Sequence, residues 1–384
     1  MAGARKCCCD SCICPDGTKI SSDGTVEWIT HTVDSGVITV VDHEGPCITY
    51  WVNSTSGDVT ETTGDGTEEH PWENINSVFA DACIKYICTH QDSPDGCPKV
   101  KVLTKGTIDY TVDGGSYNYG RNLVFEPWDD ATIEVSVSGA GVVTGVNSAV
   151  GVIWKNTNVE GESTDTFGYG FAFCTFSTFH TCTGVGTGAS NTFLTMAGNG
   201  FYGCSSSTFN TCTGEGHTIN SNYGNGFYGC SSSTFNTCTG EGTGTSGSYG
   251  GFGVGFQSCS SSTFNTCTGE GTGEGTYTGI GTNFGRGVGY GFKSCTFSTF
   301  HTCTGVGTGT GTSFSVGVGF DSCSSSTFTD CDGEGYATSV LVVCEWGCGF
   351  SHNTDSSFSG CTTTDKICND CGSPCPSPNL DCDI

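Results

Sequence analysis

The chain has 384 residues, among them 61 Gly, 28 Cys and 24 Phe, and 12 Lys and Arg against 39 Asp and Glu give a formal net charge of −27. A surface this acidic repels phosphate backbones and anionic lipid, which argues against nucleic-acid partners and adhesion to negatively charged membranes. Gly at more than twice its usual share without a Gly-X-Y period excludes collagen, and so many Phe argue against simple disorder.

The first segment, 1–61, begins "MAGARKCCCDSCICPDG" and lacks the apolar core of a secretion signal. No apolar run in the chain approaches the roughly 20 residues of a membrane span. "EWITHTVDSGVITVVDHEGPCITYWV", Glu27–Val52, reads as two or three strands. The sequence predicts a small Cys-rich β arm here, serving attachment or assembly.

The second segment, 62–166, opens with "TGDGTEEHPWENINSVFADACIKY". Pro71 suits a helix start, and Trp72, Ile75, Val78 and Phe79 share one helical face. "VKVLTKGTIDYTV" and "NLVFEPWDDATIEVSVSG" then follow as strands.

The third segment, 167–362, is a repeat. "GFYGCSSSTFNTCTGEG" occurs letter for letter at Gly200–Gly216 and Gly226–Gly242. Aligned on cysteine, six units pair Cys174/Cys182, Cys204/Cys212, Cys230/Cys238, Cys259/Cys267, Cys295/Cys303 and Cys323/Cys331. A seventh puts Asn353 in the first slot and Cys361 in the second. Each unit echoes itself: small-Phe-x-x-Cys-small appears twice. An inward Phe, a bend and a small buried Cys make one corner of a coil. Two corners and a variable Gly-rich third side make a rung, and rungs stacked at about 4.8 Å make a parallel β-helix. Gly alternates with other residues on the variable side, a strand period that lets the wall approach closely or lets another chain lie against it. The last segment, 363–384, is a Cys- and Pro-rich tail.

The Gly-Asp-Gly-Thr turn, the short amphipathic helix and the "GTID" phrase resemble the mouth of right-handed β-helix proteins of the pectate-lyase-like superfamily, which includes many phage tailspikes and fibres. The resemblance covers roughly residues 62–362. It implies an all-β, right-handed parallel β-helix with a short capping helix. It leaves the reaction open, because that superfamily hosts lyases, hydrolases and inert fibres.

Lyases of that superfamily use an Arg or Lys beside a metal-binding acidic cluster. Arg286 and Lys293 are the cations between Gly168 and Val343, and neither is framed by two Asp in the sequence. Asp321, Asp330 and Asp332 could supply a hydrolase's carboxylate pair, or be solvated surface acids. Glu215, Glu241 and Glu270 occupy one slot on three successive rungs, where they either splay into water or hold Ca²⁺. "Thr-Cys-Thr" recurs on five rungs, as ordinary stacked strand threonines or as an ice-binding ladder. The repeat cysteines read as small buried apolar fillers, with bridges between successive rungs as the alternative. At the termini, Cys7, Cys9, Cys12, Cys14, Cys368, Cys371 and Cys375 have spacings that fit Zn²⁺, local disulfides or intersubunit crosslinks equally.

Near-verbatim copying argues against an enzyme, whose site is one unique constellation. The sequence therefore predicts a structural β-solenoid of an extracellular appendage or virion that assembles with itself through its termini. A polysaccharide-active enzyme is the alternative, and an ice-binding solenoid is a third reading. No cofactor is required by this reading; Zn²⁺ and Ca²⁺ are the open candidates, and a surface polysaccharide is the candidate external partner.

Overall fold

The Phe and Cys alternation does build rungs. The computed structural model describes most of the chain between residues 49 and 369, together with three short strands near the N-terminus; the longest stretches outside the described residues are 1–10, 28–48, 55–65, 89–98, 190–196, 276–285 and 370–384. The fold is an all-β parallel solenoid with three long sheets, of eleven, nine and ten strands, here sheets 1, 2 and 3.

One rung shows how the sequence does this. Ala197–Tyr202 lies in sheet 3, Thr208–Asn210 in sheet 1 and Thr213–Ile219 in sheet 2. Phe201 and Phe209 point inward and are fully buried. After each, one residue faces out and the next turns the chain in the left-handed region: Gly203 at φ 63° and Thr211 at φ 55°. Cys204 and Cys212 then point in, buried at the two corners. Non-glycine residues repeat this bend on successive rungs, as at Thr181, Thr237, Thr266 and Thr302. Such a conformation is disfavoured for a β-branched residue. Ladder hydrogen bonds to the adjacent rung hold it, as from Thr211 N–H to the Asn236 carbonyl at 2.9 Å.

Stacking makes continuous columns. In sheet 1 the inward column runs through Tyr50, Val100, Phe125, Trp154 and Phe179, then through a Phe on every rung to Phe358. Phe209, Phe235 and Phe264 stack face to face at 4.8 Å. Phe227 of sheet 3 meets Phe235 edge-on at 5.4 Å, an arrangement favoured by the ring quadrupoles. The Ser run also has a function. From Ser207 on, each inner Ser hydroxyl accepts a hydrogen bond from the backbone N–H of the Ser one rung earlier, as from Ser207 N–H to Ser233 Oγ at 3.1 Å and Ser233 N–H to Ser262 Oγ at 3.1 Å. Buried corner amides are satisfied in this way.

The glycines face inward. A Cβ added to Gly216 in sheet 2 would fall on the carbonyl oxygen of Asn225 in sheet 3, and Gly242 and Gly271 meet Val254 and Tyr290 in the same way. Sheets 2 and 3 therefore pack backbone against backbone along the side away from the Phe columns. Of the two expectations for the Gly-lined side, close approach of the wall is the one met at these positions, where the protein's own opposite sheet fills the space that a neighbouring chain would need.

Of the Gly-Asp-Gly-Thr phrase, Gly66 is the described residue; at φ 82° it lies against the Trp72 indole, where a Cβ would press on the ring. Trp72, Ile75, Val78 and Phe79 are all buried as predicted. The helix is shorter than its pattern suggests, Asn76–Ala80, and Asn74 Oδ1 accepts from the Asn76 N–H at 2.8 Å just before it. Phe79 packs on Tyr119 and Phe125 at 5.6 and 5.3 Å. The strand Thr49–Ser54, inside the segment read as an arm, pairs in parallel with Lys99–Thr104 and is the last strand of sheet 1 at that end. Ser11–Ile13, Lys19–Ser21 and Val26–Glu27 form a small antiparallel sheet.

Candidate functional site

The outer face of sheet 2 carries the predicted glutamates. Glu215, Glu241 and Glu270 are direct cross-strand neighbours. Burial, then the charges of Glu215 and Glu270, raise the Glu241 pKa above the usual carboxylate value, while His217 opposes them. His217 Nε2 lies 3.5 Å from Glu215 Oε2. Among the described residues no group of three or more His, Cys, Asp or Glu side chains is arranged to hold a metal ion. The Ca²⁺ expectation thus has no converging ligand set here. Of the terminal cysteines, Cys7, Cys9, Cys14, Cys371 and Cys375 lie outside the described residues; Cys12 and Cys368 sit in short strands whose side chains are likewise outside them.

The Thr-Cys-Thr ladder divides. Its first Thr occupies the left-handed bend and its second begins the sheet 2 strand, as Thr211 and Thr213 do. The two do not form one flat array.

The three aspartates are placed on separate elements. Asp321 ends a sheet 3 strand, Asp330 sits at the bend before sheet 2, and Asp332 begins a sheet 2 strand, where its Oδ1 accepts from Thr362 Oγ1 at 2.9 Å. Instead, Asp321 is beside groups that the sequence reading did not group with it. Its cross-strand neighbours are Lys293 on one side and Ser351 on the other. His352 Nδ1 is 3.3 Å from Asp321 Oδ1 and 2.7 Å from Ser351 Oγ. Both contacts use the same ring nitrogen. A Ser-His-Asp relay needs the hydroxyl and the carboxylate on opposite nitrogens, so this trio lacks that geometry. Lys293 Nζ stands 4.1 Å over the Tyr290 ring, and burial lowers its pKa, with Asp321 opposing. Arg286 covers the Phe314 ring at 4.6 Å. Register was the missing signal: Lys293, Asp321 and Ser351 are far apart in sequence and only strand pairing aligns them.

The repeat cysteines form two inner columns. The first corner stacks Cys174, Cys204, Cys230, Cys259, Cys295 and Cys323, and the second runs from Cys182 to Cys361; all are free thiols, and all but Cys361 are buried. Each Sγ–H donates to backbone carbonyls, as from Cys212 to Phe179 and Asn210, both at 3.4 Å. Burial pushes the Cys204 and Cys212 pKa values up, so both are held as thiols. Asn353 fills the first-corner slot on the last rung and reproduces this bonding, its Nδ2 donating to the Phe320 carbonyl at 3.1 Å. The small-filler expectation agrees with this packing. Comparison with protein-family models, curated proteins and solved structures finds no match to this chain.

Proposed function

We propose that the protein is a non-enzymatic structural rod, a subunit of an extracellular filament or of a tail-fibre- or spike-like appendage, which assembles with copies of itself through its ends. One observation carries this reading. The same inward Phe, Cys, Ser and Gly columns repeat through successive rungs, so the copied letters are spent on stacking. Material repeated for packing makes length and stiffness, and a rod is the use that needs both. The resemblance of roughly residues 62–362, through its entry motifs, to tailspike-type β-helices supports the setting. Sheets 1 and 2 finish on Ser357–Ser359 and Thr362–Lys366, and a terminal strand edge is a template for further pairing.

Electron microscopy and light scattering of the full chain test it, beside a variant lacking residues 1–48, which retains the sheet 1 strand Thr49–Ser54. The expected result is rods or filaments for the full chain. The shortened chain should keep its β circular-dichroism spectrum and lose assembly. A full chain that stays monomeric at high concentration overturns the reading.

The Lys293–Asp321–His352 group favours a second reading, a polysaccharide-active enzyme, because it breaks the copying. Incubation with a panel of polysaccharides, beside Asp321→Asn and Lys293→Met, decides it. Release of oligosaccharide that both variants abolish would establish the enzyme.

A further inference from the structure

The first-corner thiols repeat at the rung spacing, which the stacked Phe201, Phe227 and Phe256 rings set at 4.8 Å. We propose that this column is a binding site for a soft cation of linear, two-coordinate preference, held between the thiolates of successive rungs, with Hg²⁺ as the probe that suits it.

Three observations carry the assignment. The first is length. Half of the 4.8 Å repeat is close to a metal–thiolate bond, about 2.3 Å for zinc–sulfur. An ion midway between sulfurs held at that repeat would bond both in line without moving the rungs apart. The second is ligand type and number. Each first-corner slot from Cys174 to Cys323 offers sulfur, the choice of soft metals. Among the described residues no group of three or more ligating side chains gathers for the four-fold shell of Zn²⁺. The third is the length of the hydrogen bonds that Cys204 and Cys230 give up, whereas Cys174, Cys259 and Cys323 each also hold one at 3.4 to 3.5 Å. Cys204 Sγ–H donates to the Phe171 and Tyr202 carbonyls at 3.7 and 3.6 Å, and Cys230 Sγ–H to Phe201 and Tyr228 at 3.8 and 3.7 Å. The corresponding second-corner bonds of Cys212 and Cys238 are 3.4 Å.

The exchange balances without an oxidant. Two S–H bonds break, two Hg–S bonds form, and two protons leave to solvent: 2 RSH + Hg²⁺ gives RS–Hg–SR + 2 H⁺. The product is neutral, so no unpaired charge is left in an apolar corner, where it would be costly. The six cysteines from Cys174 to Cys323 pair without remainder, and Asn353 closes the column.

Pairing along a column makes a counting rule. Cys204→Ser with Cys295→Ser strands Cys174 and Cys323 and leaves only Cys230 and Cys259 adjacent. Cys174→Ser with Cys204→Ser leaves two adjacent pairs intact. Both double variants lose two thiols, and the terminal cysteines are unchanged in both. The reduced full chain is incubated with mercuric chloride, washed with a monothiol and assayed for bound metal by mass spectrometry. The expected result is two fewer Hg²⁺ per chain for the first variant and one fewer for the second. X-ray absorption should show two sulfurs in line at about 2.3 Å. Zn²⁺ uptake should be equal in all three proteins. Equal Hg²⁺ losses in the two variants, no loss in either, or a zinc loss following the same pattern overturns the proposal. If a Ser pair does not keep the β circular-dichroism spectrum, the Ala pair at the same positions is read by the same rule.

Discussion

Gly216 and Asn225 face each other across the interior so closely that the Gly216 Cα has no room for a methyl group: an added Cβ would clash with the Asn225 backbone carbonyl and N–H. This contact joins sheet 2 to sheet 3. It recurs up the solenoid at Gly186 with Asn199 and at Gly242 with Val254.

Gly216→Ala should therefore destabilise strongly. The obstacle is backbone, which cannot rotate away as a side chain can, so the cost should reach or exceed the 1–3 kcal/mol typical of an overpacked core. Urea unfolding followed by circular dichroism measures it. A loss below about 0.5 kcal/mol, the scale of ordinary surface substitutions, would mean that the two sheets are not in contact there.

Phe235→Ala should cost about 3–5 kcal/mol, the range for deleting a buried Phe. Its ring stacks on Phe209 and Phe264 at 4.8 Å and meets Phe227 and Phe256 edge-on at 5.4 Å. A midpoint shift equivalent to less than about 1 kcal/mol would contradict its place in the column.

Whole-rung deletion should be tolerated. Asn199 and Asn225 are register partners, so removing 200–225 joins Asn199 to Gly226 with the sheet 3 register kept. Removing only 200–212 joins a sheet 3 strand directly to Thr213 of sheet 2 and leaves no sheet 1 strand on that rung. The first variant should give a cooperative thermal transition and the second should not. Similar melting of the two would deny the rung its role as the unit of the fold.

Acid should relieve the glutamate column. The folded-state pKa of Glu241 is raised, by burial first and then by Glu215 and Glu270. Between the unfolded and folded pKa values the native state binds the extra proton. Stability therefore falls as pH rises through that window. Glu241→Gln should be more stable than the parent at neutral pH, and the difference should shrink as pH falls below the ordinary glutamate range. Urea midpoints at several pH values give both curves. A variant less stable than the parent at neutral pH would indicate that Glu241 is held by a favourable partner instead.

Much of the solenoid was legible in the letters because a repeat shows its own register. Once Cys204 aligns with Cys230, the Phe, Ser and Cys columns follow, and burial of Trp72, Ile75, Val78 and Phe79 follows from their spacing. Nothing in the sequence of the strand Thr49–Ser54 belongs to the repeat; its place comes from pairing with Lys99–Thr104.

What tertiary structure alone decided was contact between surfaces. Asp330 and Asp332, two residues apart in sequence, separate from Asp321 because the chain turns a corner between them. Lys293 and Asp321 become neighbours because parallel strands align residues one rung apart. The glycines are the clearest case. The sequence shows that a backbone must come close at Gly216, but a residue with no side chain carries no mark of what approaches it. Only the packing of sheet 2 on sheet 3 identifies that partner as Asn225 of the same chain.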